Sequence, residues 1–130
     1  MTEIRRWLVN AEQCRGLLND TAALLDSMRT GCNDSGATIR REAIEPYVPH
    51  GVTVALVLAE SHFVVSTWPE WGFCTLDISV CNSELDLQRL VAPVLQLIEP
   101  VSTHGQLTVT QLPVSRMTTR DLAATSLEPV

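Results

Sequence analysis

The groups best suited to chemistry crowd into one stretch of this chain. Glu60-Ser61-His62 sets a carboxylate, a hydroxyl and an imidazole side by side. The run Ser66-Thr67-Trp68-Pro69-Glu70-Trp71-Gly72 follows closely, and Asp77 and Cys81 come after it. Hydroxyls and thiols of this kind act as nucleophiles or proton carriers once their surroundings tune them. What is missing narrows the chemistry. All nine basic residues are arginine. Without a lysine, an enzyme that forms a Schiff base through a lysine of this chain is excluded, pyridoxal phosphate enzymes included. The four cysteines, Cys14, Cys32, Cys74 and Cys81, show no C-x-x-C spacing. With only three histidines, they are too scattered to indicate a metal site. Free, buried thiols are the expectation for all four. Nine arginines against fifteen acids give a formal net charge of −6, which leaves little from which to build a nucleic-acid-binding face.

The elements that must position these groups can be read from patterning. A length of 130 residues with 45% hydrophobic and 18% charged side chains suits one globular domain with its own core. No apolar run approaches the roughly 20 residues of a membrane helix. The start, Met1 to Arg6, leads only to a short apolar run and then Asn10, Glu12 and Gln13. No secretory signal is seen there, and a cytoplasmic location is the expectation.

A first strand is predicted over Ile4–Ala11. A helix follows Leu17-Leu18, capped by Asn19 or Asp20, with Ala22, Leu25 and Met28 on its apolar face. Arg29 suits its dipole and Gly31 is placed to stop it. A second strand over Thr38–Ile44 is half exposed, because Arg41 breaks its alternation. Pro46 and Pro49 stiffen a loop around Tyr47. Val52–Ala59 reads as a strand buried on both faces. Further strands centre on Phe63-Val64-Val65 and span Phe73–Val80 and Gln106–Leu112. The second helix, capped by Asn82 or Ser83, carries Leu87, Leu90, Val91, Val94, Leu95 and Ile98, with Pro93 as a kink or break. The order β-α-β-β-β-β-α-β predicts an α+β, two-layer sandwich: an antiparallel sheet with helices on one face. The other face should be partly apolar and covered by a partner. The domain is expected over 1–114, with a loose polar tail over 115–130.

With these segments in view, the chain resembles the small prokaryotic type of S-adenosylmethionine decarboxylase, a pyruvoyl enzyme of polyamine synthesis. The resemblance runs from about Trp7 to Ile98. It is carried by Leu18-Asn19-Asp20, Ser35-Gly36-Ala37-Thr38, Pro49-His50-Gly51-Val52-Thr53, Glu60-Ser61-His62, Thr67-Trp68-Pro69-Glu70, Gly72, Asp77 and Cys81. It implies a proenzyme. The Ser61 hydroxyl attacks the carbonyl of Glu60 and the amide becomes an ester. Elimination and hydrolysis then leave a pyruvoyl group at a new N-terminus. The products are a β chain, 1–60, and an α chain from 61.

The resemblance further implies that this self-generated cofactor captures the amine of S-adenosylmethionine and accepts the electrons released with carbon dioxide. The product is the aminopropyl donor for spermidine synthesis. Cys81 matches the cysteine that returns a proton to the carbanion. Tyr47 and Trp68 fall where aromatic contact with the substrate is expected, and Glu70 where a carboxylate holds a ribose diol. A homodimer is implied, sheet facing sheet, in a four-layer α/β/β/α assembly.

The chain also departs from the family pattern. Two helper positions serve the scissile bond, and Thr53 keeps a hydroxyl at one. At the other, Ser66 stands where the family has a histidine that assists elimination. Imidazole accepts a proton near neutral pH and a serine hydroxyl unaided does not. Trp7 stands where relatives tend to carry histidine, Trp71 and Phe73 replace the more usual tyrosines, and Cys74 replaces a common alanine.

Three readings therefore stand. One is an S-adenosylmethionine decarboxylase with altered processing, using His62, His50 or water. Another is a pyruvoyl decarboxylase of a different amino acid, such as ornithine or arginine. The third is a non-cleaving relative that binds a partner without catalysis. Single residues have plainer roles too. Tyr47 could cover the core, Trp68 and Trp71 could pack a turn, Glu70 could be solvated, His62 could end a strand, and His104 could sit in a surface loop.

Overall fold

The computed structural model describes residues 2–112. In chain order the elements are β1 (Thr2–Glu12), α1 (Thr21–Ser35), β2 (Ile39–Pro46), β3 (Val52–Leu58), β4 (Ser61–Trp68), a single 3-10 turn (Pro69–Trp71), β5 (Phe73–Val80), α2 (Leu87–Ile98) and β6 (Ser102–Leu112). The strands form one sheet in the order β2-β3-β4-β5-β1-β6, and every neighbouring pair is antiparallel. Strands β2 to β5 meander through short connections. Strand β1 then docks between β5 and β6. This is the α+β sandwich expected from the pattern. The tail placed over 115–130 lies outside the described residues.

Alternation decides which side chains reach the core. Val52, Val54, Leu56 and Leu58 on β3, Phe63 and Val65 on β4, and Cys74, Leu76, Ile78 and Val80 on β5 are all buried. They lie on one face under Leu24 and Met28 of α1 and Leu90, Val94 and Ile98 of α2. Within one chain, β3 is buried on one face only. Thr53, Ala55 and Val57 point to the other face, which no helix among the described residues covers, and Val57 is 48% exposed. An apolar run signals two buried faces only when both have a cover.

The helices differ from the pattern-based reading in their ends. Asp20 caps α1 and accepts from the Ala23 N–H at 3.0 Å. Gly31 does not stop it. A Cβ there would lie 2.0 Å from the Leu90 carbonyl oxygen, so Gly31 is where α1 and α2 meet. The stop is Gly36, in the left-handed region at φ 88°. Arg29 sits before the last turn and, instead of serving the dipole, forms a two-bond ion pair with Glu42 on β2.

Asp86, not Asn82 or Ser83, caps α2, accepting from Gln88 and Arg89. Asn82 closes a turn by accepting from the Glu84 N–H, and Arg5 holds that turn through the carbonyls of Asn82 and Leu85. The helix runs on through Pro93. Proline lacks the N–H that would serve the Arg89 carbonyl, and the Arg89 side chain is exposed, on the side where water can take that place. No helix among the described residues is long and apolar enough to cross a membrane.

Candidate active site

The expected site residues separate into two groups, one at each end of β3 and β4. At one end is the Ala59-Glu60 hairpin loop, flanked by the facing pair Leu58 and Ser61. Two-residue hairpin loops favour positive φ on glycine or asparagine within the loop. This loop has neither residue, and the distortion falls on the next one. Ser61 has φ 146°, a conformation that side-chain-bearing residues rarely adopt and that costs of order 1–3 kcal/mol.

The Glu60 carbonyl, on the other side of the same peptide bond, accepts a hydrogen bond from the Cys81 backbone N–H at 3.2 Å. Glu60, Ser61 and Cys81 line one cavity of about 390 Å³ together with Ile4, Ala59, Ser79 and Val80. A hydroxyl, the carbonyl before it, a donor on that carbonyl and a thiol therefore meet at the end of the sheet. His62 projects from the uncovered face there, its Nε2 3.6 Å from Asp77 Oδ1.

At the other end, Thr53 and Ser66 face each other in the β3–β4 register, with 2.8 Å between their hydroxyl oxygens. The Tyr47 hydroxyl hydrogen-bonds to Thr53 Oγ1. The Tyr47 and Trp68 rings are 6.2 Å apart between centroids, and Trp68 lies 5.6 Å from Phe73, its partner in the β4–β5 register. The three rings form an open aromatic platform.

Two loops carry this platform and lock together at Gly51. A Cβ on Gly51 would lie 2.7 Å from the Thr67 carbonyl oxygen and 2.8 Å from the Tyr47 ring, and φ there is +99°. The Tyr47 N–H donates to the Gly51 carbonyl at 2.8 Å, and the Gly51 N–H to Asn19 Oδ1 at 2.7 Å. Glu70, on the 3-10 turn, has its Oε2 3.3 Å from His50 Nε2.

The two groups are far apart within one chain. Five residues of extended strand separate Ser61 from Ser66, about 17 Å. Sequence reasoning therefore found the members of both groups but not the division between them. It also missed Phe73 as the third ring and His50 as the partner of Glu70. The first follows from pairing across the Trp68–Gly72 turn. The second needs the two loops to meet, and no local pattern encodes that.

All four cysteines are free, but only Cys32 and Cys74 are buried, which corrects the expectation for Cys14 and Cys81. Burial pushes the Cys32 thiol up to about 11 and the Cys74 thiol up to about 12. Burial also raises Cys14. These three remain protonated and sluggish near neutral pH. Brief treatment of the native protein with a maleimide should therefore label Cys81 first, as read by peptide mass mapping. Labelling of Cys14 ahead of Cys81 would mean that the cavity beside Ser61 is closed.

Comparison with known proteins follows the same outline. The family model described as S-adenosylmethionine decarboxylase matches residues 5–108. A protein of Brevibacillus brevis named S-adenosylmethionine decarboxylase proenzyme is 32% identical over 90 residues, covering 69% of this chain and 68% of that one. One of the same name from Thermosipho melanesiensis is 26% identical over 88 residues, 68% of each. The crystal structure of the adenosylmethionine decarboxylase from Aquifex aeolicus superposes with a TM-score of 0.75 at 20% identity, covering 82% of this chain and 89% of that one. The match spans every described element except the last few residues of β6 and the first few of β1, and it takes in both ends of the sheet; this chain belongs to the S-adenosylmethionine decarboxylase family.

Proposed function

We propose that the chain is a proenzyme that cuts itself between Glu60 and Ser61 and then decarboxylates S-adenosylmethionine, with each complete site built from two copies. The observation that carries this reading is the geometry at the Glu60–Ser61 bond. The backbone is strained there, its carbonyl is held by the Cys81 N–H, and the bond opens on a cavity. The Ser61 oxygen adds to the Glu60 carbonyl carbon, and the Cys81 N–H stabilises the negative oxygen that results. The C–N bond breaks, the serine nitrogen takes up a proton, and an ester remains. In the elimination the Ser61 Cα–H proton passes to water and the Cβ–O bond breaks, which releases Glu60 as a carboxylate and leaves dehydroalanine at position 61. Water then replaces its nitrogen, released as ammonia. Cleavage also frees Ser61 from its strained φ, which favours the forward direction.

The residues present fit a pyruvoyl group at position 61: the cavity is open and the Cys81 thiol lines it. That group supplies a carbonyl that captures the substrate amine and draws off the electrons released with carbon dioxide. Cys81 holds a proton beside the reacting carbon and delivers it after carbon dioxide leaves. The platform of Tyr47, Trp68 and Phe73 suits an adenine and a sulfonium cation, both of which favour ring faces. Glu70 accepts from the ribose diol. Decarboxylation yields an aminopropyl donor, the form that spermidine synthesis uses.

The separation of the two groups supports a homodimer. The uncovered sheet face carries Leu8, Ala55, Val57, Val64, Trp68 and Phe73, and Leu8 and Val57 are about half exposed. Val64 lies near the middle of β4. A two-fold axis in the interface, running across the strands beneath Val64, sets β4 over β4 in opposite directions. The Ser61–Cys81 end of one copy then faces the Thr53–Ser66 end of the other, across the roughly 10 Å that separates packed sheets. The result is a four-layer α/β/β/α assembly with two equivalent sites.

The test uses S-adenosylmethionine, ornithine and arginine, each labelled in its carboxyl carbon, with carbon dioxide trapped. Release from S-adenosylmethionine alone is expected. Release from ornithine or arginine would move the substrate assignment, and no release from cleaved protein would contradict the decarboxylase reading.

A further inference from the structure

The geometry points to a hydroxyl relay, Tyr47 to Thr53 to Ser66, that presents the Ser66 O–H as a hydrogen-bond donor at the processing centre. The inference rests on the self-cleaving reading above. The three groups are linked in series: the Tyr47 hydroxyl bonds to Thr53 Oγ1, and Thr53 Oγ1 lies 2.8 Å from Ser66 Oγ. Their placement is enforced from several sides. Thr53 and Ser66 are directly opposed in the strand register. Tyr47 is held through its own N–H to Gly51 and through Gly51 to Asn19. The fold itself does not require these hydroxyls. All three lie on the uncovered face and are only partly buried, where apolar residues of similar size would also fit.

The direction of the relay follows from donor strength. A hydroxyl donates one hydrogen bond and accepts two, and a phenol donates more strongly than an alcohol. Donor strength favours Tyr47 as the donor to Thr53, which leaves the Thr53 hydrogen free to go to Ser66. The Ser66 hydrogen remains unspent, and each bond along the series polarises the next. An isolated serine would lack this support.

The chemical role differs from that of an imidazole base. Ser66 keeps its proton and only donates a hydrogen bond. Its acceptor is the Glu60 carbonyl oxygen of a second copy, which gains negative charge as Glu60 leaves the ester as a carboxylate. A donor at that oxygen speeds the departure. Ser66 acts on the reacting atoms, and Tyr47 and Thr53 are positioning residues behind it.

The test follows self-cleavage of the freshly made full-length proenzyme by intact mass over time. Tyr47→Phe keeps the ring and removes only the hydroxyl. It should slow cleavage roughly tenfold, the scale of one lost hydrogen bond. Thr53→Val should do the same. In a Ser66→Ala background, Tyr47→Phe should slow cleavage no further. In a Ser66→His background it should have no effect, because the imidazole does not depend on the relay. Cleavage of Tyr47→Phe at the wild-type rate overturns the relay and leaves the functional reading standing. So does an equal slowing in both Ser66 backgrounds, which would mark a merely structural role. A wild-type chain that never cleaves overturns both.

Discussion

Ser61→Ala is expected to leave one uncut chain of 14.3 kDa with no decarboxylase activity. The variant removes the only atom able to add to the Glu60 carbonyl from the adjoining residue, and with it the proposed source of a pyruvoyl group. The loss is the whole catalysed rate, a factor of roughly 10⁶ or more. Folding should be retained. Ser61 is only partly buried, and alanine tolerates the strained φ no better and no worse than serine. Far-UV circular dichroism and the thermal midpoint should match those of the uncut wild-type chain. A Ser61→Ala protein that still cleaves would place the reactive residue elsewhere. One that stays whole yet decarboxylates would remove the pyruvoyl group from the account.

Cys81→Ala should separate cleavage from turnover. The hydrogen bond that holds the Glu60 carbonyl comes from the backbone N–H of residue 81, and alanine keeps it. Self-cleavage should therefore continue within a few-fold of the wild-type rate. Turnover should lose the thiol proposed to deliver the proton, and the expected fall in kcat is about 10²–10⁴-fold, the usual contribution of a positioned acid. KM should change little, because the aromatic rings and Glu70, not the thiol, are the groups proposed to hold the substrate. Undiminished turnover would remove Cys81 from proton delivery. Blocked cleavage with intact folding would mean that the thiol, not the amide, stabilises the oxyanion.

Particular residues explain how far patterning alone could reach. The alternation of Cys74, Leu76, Ile78 and Val80 predicts β5 and its buried face, because a strand's period of two is local. The helical spacing of Leu87, Leu90, Val91, Val94 and Ile98 predicts α2 for the same reason. Ends were harder. Gly31 and Gly36 are alike as letters, and only the contact with Leu90 across two helices makes one a packing site and the other a stop. Asn82, Ser83 and Asp86 are all good caps, and the choice among them depends on how Arg5 pins the preceding turn. Within the site, Glu60, Ser61 and Cys81 were identifiable as letters, but the strain at Ser61 and the amide of Cys81 on the Glu60 carbonyl are backbone properties. The two-ended arrangement follows from the β3–β4 register, so it is a tertiary fact that side-chain chemistry does not announce.

The central claim is that the peptide bond before Ser61 breaks by the action of its own serine. The most direct measurement is the intact mass of the purified wild-type protein under denaturing conditions. The account predicts two chains, one ending at Glu60 and one beginning with a blocked, keto-acyl residue at position 61. Their summed mass should exceed that of the parent by one water less one ammonia, where simple proteolysis would add a whole water. A single chain that persists through long incubation would contradict the account, and so would a fragment pair with a free amine on Ser61.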